Sequence, residues 1–136
     1  MQITVSRKAH FNAAHRLYRQ DWTDQKNQEI FGKCNNPNFH GHNYELIVSV
    51  TGNVNPETGY VIDIKILADI IKDKVEDYLD HKNLNLDVAE FALLIPTAEH
   101  IAFVIYNRIK PELPSTLELE ITLYETPRNF VSYKGQ

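Results

Sequence analysis

A single cysteine, Cys34, stands in the chain. That excludes an intrachain disulfide and is compatible with a reducing compartment. Glycine and proline are few, 5 and 6 residues, and they nowhere cluster into a linker or a low-complexity segment. Apolar residues never run long enough to span a bilayer. The first eight residues, Met1 to Lys8, lack the apolar core of a secretory signal. The expectation is a cytoplasmic protein with no membrane partner. Basic residues are in deficit, 14 Lys and Arg against 18 Asp and Glu, for a net charge of −4. Without a basic stripe to neutralise phosphates, nucleic acid is excluded as the main partner.

What remains is an ordinary globular composition. With 136 residues, 43% of them hydrophobic, the chain is long enough to bury the core of one domain spanning 1–136. Residues 2–15 read as a strand, with Ile3 and Val5 followed by an alternation through Phe11, Ala13 and His15. The register between Ser6 and Ala9 is ambiguous and admits a bulge. Residues 16–33 form a long polar connection with Trp22 and Phe31 as anchors and one or two helical turns within Asp24 to Ile30. Arg16 and Arg19 lie there, readable as solvated charge or as a contact for anionic substrate groups. A strand over 42–51 follows. A turn over Gly52 to Gly59 and the stretch Tyr60 to Asp63 then complete a hairpin. Residues 64–80 predict a helix with Ile66, Leu67, Ile70, Ile71, Val75, Tyr78 and Leu79 on its apolar stripe and Asp63 as N-cap. A second helix spans 98–109, capped by Thr97. Strands over 117–125 and 130–133 close the chain. The order β-β-β-α-α-β-β makes an α+β domain whose sheet edges and uncovered apolar face call for assembly.

The chemistry concentrates in Cys34-Asn35-Asn36-Pro37-Asn38-Phe39-His40-Gly41-His42. On an extended segment the period of two puts His40 and His42 on one face, and Gly41 adds no side chain to crowd them. Two converging imidazoles suit a borderline-soft divalent metal, usually zinc, and His15 at the end of the first strand is the candidate third ligand. Alone, an HxH is a common polar strand edge, and His15 alone reads as a hydrogen-bonded core histidine. A thiol delivered beside three imidazoles is harder to explain by packing. Asp80-His81 ends the first helix. It reads either as a histidine placed for the helix dipole or as a proton relay in which Asp80 orients His81. Glu99 sits in the first turn of the second helix, where a carboxylate suits the dipole. Glu125 continues the apolar face of its strand, so its carboxylate needs a partner, such as a ligand bearing an N–H array.

Together these motifs resemble the 6-pyruvoyl-tetrahydropterin synthase and 6-carboxytetrahydropterin synthase family. The resemblance rests on Gly32-Lys33-Cys34-Asn35-Asn36-Pro37-Asn38, His40-Gly41-His42-Asn43-Tyr44, Leu79-Asp80-His81-Lys82-Asn83-Leu84 and Tyr124-Glu125-Thr126. It covers nearly the whole chain and is weakest over 16–30. The spacing from Cys34 to the histidine pair, filled by Asn-Asn-Pro-Asn, is more similar to the pyruvoyl type.

The resemblance implies the tunnelling fold: a four-stranded antiparallel sheet with two helices on one face, joined edge to edge into a trimeric β-barrel, two of which stack into a homo-hexamer. It implies Zn2+ on His15, His40 and His42. Cys34 is the implied general base, with Asp80 and His81 as its relay. Glu125 is implied to bind the amino and N3–H edge of a pterin, with Thr97 and Glu99 lining the pocket. The implied reaction converts 7,8-dihydroneopterin triphosphate into 6-pyruvoyltetrahydropterin and triphosphate. The alternative product is 6-carboxytetrahydropterin with acetaldehyde. A zinc hydrolase, or a pterin-binding module without catalysis, are the remaining classes. Three positions depart from the family pattern: Phe39 where glycine is common, Ala98 where some members have a second threonine, and His100 where asparagine is frequent.

Overall fold

The computed structural model describes residues 1–136. Strands β1 (Gln2–His15) and β2 (His40–Asn53) pair antiparallel without interruption, from Gln2 opposite Asn53 to His15 opposite His40. The bulge admitted between Ser6 and Ala9 is not formed. Ile3, Val5, Ala9, Phe11, Ala13 and His15 all share one face; only Arg7, exposed opposite Val48, interrupts the pattern.

After β1 come helix α1 (Asp24–Phe31), capped by the Thr23 hydroxyl, and, after β2, helix α2 (Ile64–Ile71). The Asp63 carboxylate accepts the Lys65 N–H at 2.8 Å, so the expected N-cap is formed. A π-helical segment, Lys72–Glu76, leads from α2 into α3 (Asp77–Leu79). Its placement follows from the sequence. The buried residues Leu67, Ile71, Val75 and Leu79 recur at strict four-residue steps. In an ideal α-helix each such step turns the stripe by about 40°. A wider π turn absorbs that drift and keeps all four on the core. Ile66 falls off this stripe and is 54% exposed, contrary to the sequence reading.

The short β3 (Lys82–Asn83) and α4 (Leu84–Asp87) come next, then α5 (Ala98–Ile109), β4 (Glu118–Tyr124) and β5 (Phe130–Tyr133). The sheet order is β3-β1-β2-β4-β5, with β3 parallel to β1 and every other pair antiparallel. Five strands in a mixed sheet thus replace the four antiparallel strands expected, because β3, only two residues long, leaves no periodic signal. Tyr60 to Asp63 is not a strand, and β2 takes β4 as its neighbour instead. The chain closes locally there, with Gly59 N–H donating to Asn55 at 2.7 Å and Asn55 N–H to Tyr60 at 3.0 Å, then enters α2 at once.

The helices and one sheet face enclose a core of 23 buried hydrophobic residues. Phe11 and Tyr44, both fully buried, stack at 4.8 Å between ring centroids directly beneath the histidine end of the ladder. Such a pair adds about 1 kcal/mol beyond the area it buries, which stiffens the strand ends that carry the site. The expected anchors Trp22 and Phe31 also stack, at 5.7 Å. The opposite sheet face is polar rather than apolar. Hydroxyl pairs Thr4–Thr51 (2.6 Å) and Ser6–Ser49 (2.8 Å) bridge β1 and β2 across it. The uncovered face therefore does not itself demand a cover; two strand edges and scattered exposed side chains such as Ile64 and Ile66 do. No helix is long and apolar enough to cross a membrane.

Candidate active site

The strand period decides where the histidines go. Phe11, Ala13 and His15 on β1 share a face with Tyr44, His42 and His40 on β2, and His15 stands directly opposite His40. The three imidazole rings meet at centroid distances of 4.5, 5.0 and 5.0 Å, and one nitrogen from each lies within 4.8 Å of the others. His15 is buried. Its Nδ1 donates to the Pro96 carbonyl at 2.7 Å, which fixes the tautomer and leaves the Nε2 lone pair turned 3.0 Å from His40 Nε2. The Tyr44 hydroxyl lies 3.4 Å from the same Nδ1.

Two of these imidazoles, His15 and His40, are made harder to protonate. Burial lowers His15 to about 4, with His40 and His42 adding to the effect and the Pro96 carbonyl opposing it. His40 is lowered as well, by burial first and by His42 second, against the charge of Glu125. Tyr44 is raised, by burial and then by Glu125. Neutral nitrogens are what a metal needs from histidine. Two buried ring nitrogens, His40 Nδ1 and His42 Nε2, lack a hydrogen-bond partner. Two ligands on one tetrahedral zinc stand about 3.3 Å apart, close to the His15–His40 separation. The donor set therefore fits a zinc-like ion.

Cys34 lies half-buried on a 3-10 turn, Gly32–Asn35. The Leu17 N–H donates to its carbonyl at 2.8 Å, which ties the turn to the chain two residues beyond His15. Arg16 reinforces the tie: Nε donates to the Asn35 carbonyl at 2.9 Å and Nη2 to Asn35 Oδ1 at 3.1 Å. Both sequence readings of Arg16 thus give way to a structural one. Arg19 is an exposed partner of Asp21 at 2.7 Å. The thiol stands outside the nitrogen cluster. Phe39, just before the histidine pair, adopts φ 67°. A left-handed non-glycine residue costs about 1–2 kcal/mol, so glycine would sit here without strain.

Asp80 and His81 reach the site from α3. Asp80 Oδ1 accepts the Asn12 N–H at 2.8 Å, the His81 N–H donates to the Asn12 carbonyl at 2.6 Å, and His81 Nδ1 meets Asp80 Oδ2 at 3.0 Å. The Asn12 N–H, and then His81, hold the Asp80 carboxyl below its ordinary range. His81 is exposed and left-handed, φ 60°, a conformation secured by its bond to β1. His81 and His42 line one cleft of about 610 Å³. Glu125, just past β4, lines another of about 570 Å³ with Tyr124, Thr126 and the same His42. Of the triad, His42 lines both clefts, while His15 and His40 line neither, and Cys34 also lies outside both.

Thr97 and Glu99 line neither cleft. The Thr97 hydroxyl accepts the His100 N–H at 3.2 Å as the cap of α5, and Glu99 is exposed in the first turn. Sequence reasoning missed the Pro96 carbonyl, the Asn12 backbone and the Arg16–Asn35 clamp. Two of these act through main-chain atoms, which leave no side-chain signature.

Comparison with known proteins agrees with this geometry. The profile of the family described as 6-pyruvoyl tetrahydropterin synthase matches residues 4–136. The human protein named 6-pyruvoyl tetrahydrobiopterin synthase is 42% identical over 99% of this chain and 93% of its own. The solved structure of 6-pyruvoyl tetrahydropterin synthase from Caenorhabditis elegans superposes with a TM-score of 0.94 at 39% identity, covering 100% of this chain and 97% of that one. A more distant relative, 6-carboxy-5,6,7,8-tetrahydropterin synthase of Rickettsia conorii, is 30% identical over 95% of this chain and 98% of its own. With the profile covering all but the first three residues, this chain belongs to the 6-pyruvoyl tetrahydropterin synthase family.

Proposed function

We propose that this chain is a zinc-dependent carbon–oxygen lyase that converts 7,8-dihydroneopterin triphosphate into 6-pyruvoyltetrahydropterin and triphosphate. One observation carries the reading: His42 joins a cleft holding Glu125 to a cleft holding His81. In this reading the Glu125 cleft recognises the ring and the His81 cleft moves protons, and His42, which lines both, supports that division.

Glu125 accepts from the amino and N3–H groups of the pterin and sets the direction of the side chain. His15, His40 and His42 would hold Zn2+, which as a Lewis acid acidifies the C–H beside a bound hydroxyl. Cys34 takes the proton as general base, and His81, oriented by Asp80, carries out the remaining transfers. Electrons balance within the substrate. The first side-chain carbon is oxidised to a ketone as the ring C=N is reduced. Loss of triphosphate from the third carbon leaves the second as a ketone beside a methyl group. No external redox cofactor is needed.

Thr97 and Glu99 belong to the pterin pocket in this reading when a neighbouring subunit completes it. The assembly is a homo-hexamer of two stacked trimers, and the two free strand edges, β3 and β5, support edge-to-edge joining. The location is the cytoplasm. The relative from Rickettsia conorii favours a second reading, in which the same site cleaves the side chain to 6-carboxytetrahydropterin and acetaldehyde. Mass spectrometry after incubation with dihydroneopterin triphosphate decides. The pyruvoyl product with free triphosphate is expected; the carboxy product with acetaldehyde would replace this reading by the second, and unchanged substrate would remove both.

A further inference from the structure

The Pro96 carbonyl fixes the orientation of His15, yet it belongs to a short connection outside any helix or strand. Something must hold it. The Thr97 N–H donates to the Ile95 carbonyl at 2.8 Å, closing a three-residue turn around buried Pro96. Proline fixes its own φ and restricts the residue before it. The direction of the Pro96 carbonyl then depends on one remaining rotation, which the Ile95–Thr97 bond sets. His100 grips both ends of that bond. Its Nδ1 lies 2.6 Å from the Ile95 carbonyl, and its backbone N–H donates to the Thr97 hydroxyl at 3.2 Å. A carbonyl oxygen only accepts, so Nδ1 carries the proton.

We propose that His100 is a positioning residue for the metal triad: its Nδ1–H holds the Ile95–Thr97 turn so that the Pro96 carbonyl aims His15 Nε2 at the ion. It makes no hydrogen bond to His15, His40 or His42 and acts through Pro96 and His15. The inference rests on the reading of His15, His40 and His42 as a zinc site. Its bland rival is that the His100 ring stabilises the start of α5 and nothing more.

The two are separated by zinc affinity in a chelator competition, read beside the melting temperature of the metal-free protein. Asparagine places an N–H donor at the same distance from Cβ as His100 Nδ1. His100→Asn should therefore keep affinity within about threefold of wild type. His100→Asp puts an acceptor against the Ile95 carbonyl while its charge suits the first turn of the helix. It should leave metal-free melting within about 2 °C of wild type and weaken zinc binding about tenfold or more, the low end of the usual range for outer-sphere partners. His100→Leu removes the donor without adding charge and serves the same purpose if the aspartate variant folds poorly. Unchanged affinity in whichever of the two folds would overturn the proposal, as would an asparagine variant that falls as far as they do. Failure of the wild type to bind zinc would instead overturn the metal reading beneath it.

Discussion

Asp80 and Asn12 are joined twice over: Asp80 accepts the Asn12 N–H at 2.8 Å, and the residue after Asp80 returns a bond to the Asn12 carbonyl at 2.6 Å. The end of α3 is thereby fastened to the strand that finishes, three residues later, on His15. A relay on a flexible loop would have to find its geometry at each turnover; the relay proposed here is bolted to the strand that carries His15, a proposed metal ligand.

That fastening has a signature in acid. The folded state holds the Asp80 carboxyl below its unfolded value of about 3.9, because the Asn12 N–H and His81 favour the charged form. A depressed carboxylate contributes stability above the unfolded value and loses it as pH falls through the folded one. Asp80→Asn should therefore be less stable than wild type near neutrality, and the gap should narrow as pH falls from about 5 into the acid range through the lowered folded value. Urea unfolding across that range checks it. A gap that widened in acid would contradict the assignment.

The triad is tested by its metal content. About one zinc per chain is expected in the wild type. His40→Ala and His42→Ala should lose it or bind it far more weakly, since each removes one of three ring nitrogens that lie within 4.8 Å of one another. Elemental analysis of the purified proteins reads this directly, and full occupancy in both variants would end the zinc assignment.

Arg16 offers a cleaner probe of Cys34 than mutation of the thiol itself. Its guanidinium bonds both the carbonyl and the side chain of Asn35, the residue next to the cysteine. A lysine cannot make that fork. Arg16→Lys should loosen the turn, lower kcat about tenfold with little change in KM, and speed alkylation of Cys34 by iodoacetamide severalfold. Because the chain holds one cysteine, the labelling rate reports on that turn alone. An unaltered rate would show that Arg16 does not hold it.

The proposed assembly draws on what stays bare. The sheet ends in two free edges, and Ile3, Tyr60, Ile64 and Ile66 remain exposed. Light scattering should give the mass of six chains at micromolar concentration. A mass of one chain would contradict the hexamer.

Much of this was legible in the sequence for a physical reason: side-chain periodicity is a direct image of a strand. The alternation Phe11-Ala13-His15 and the pair His40, His42 placed three imidazoles on one face, and the ladder set His15 opposite His40. Asp63 and Thr97 were readable as caps because capping is done by side chains. Other features left no such image. Two-residue β3 has no period. The π segment in the first long helix shows itself only in the four-residue spacing of Leu67, Ile71, Val75 and Leu79, which also explains why Ile66 is outside. The orienting contact on His15 is a proline carbonyl, and the anchor of Asp80 is a backbone amide; both are main-chain groups brought to the site by tertiary structure, and they leave no side-chain pattern.

Cys34 and Glu125 separate chemistry from recognition. Cys34 rides on a turn held by backbone and Arg16 contacts, outside the nitrogen cluster, and is proposed as a base and not as a ligand. Replacing it with alanine removes proton abstraction and leaves the ring contacts. A fall in kcat of about a hundredfold or more is expected, the usual scale for a general base, with pterin affinity nearly unchanged. Glu125 lines a cleft beside His42, where its charge opposes the lowering of His40 and adds to the burial that raises Tyr44. Its carboxylate offers two acceptors to two pterin donors, a charge-assisted pair. Glu125→Ala should weaken binding of a pterin analogue strongly. Glu125→Gln should do nearly as much, because its amide nitrogen turns a donor toward a donor. Calorimetry on the three variants reads affinity and steady-state kinetics reads turnover. If Cys34→Ala lost binding while Glu125→Ala kept it, the two residues would have to exchange roles, and the division of the site into a recognition cleft and a proton-transfer cleft would fall.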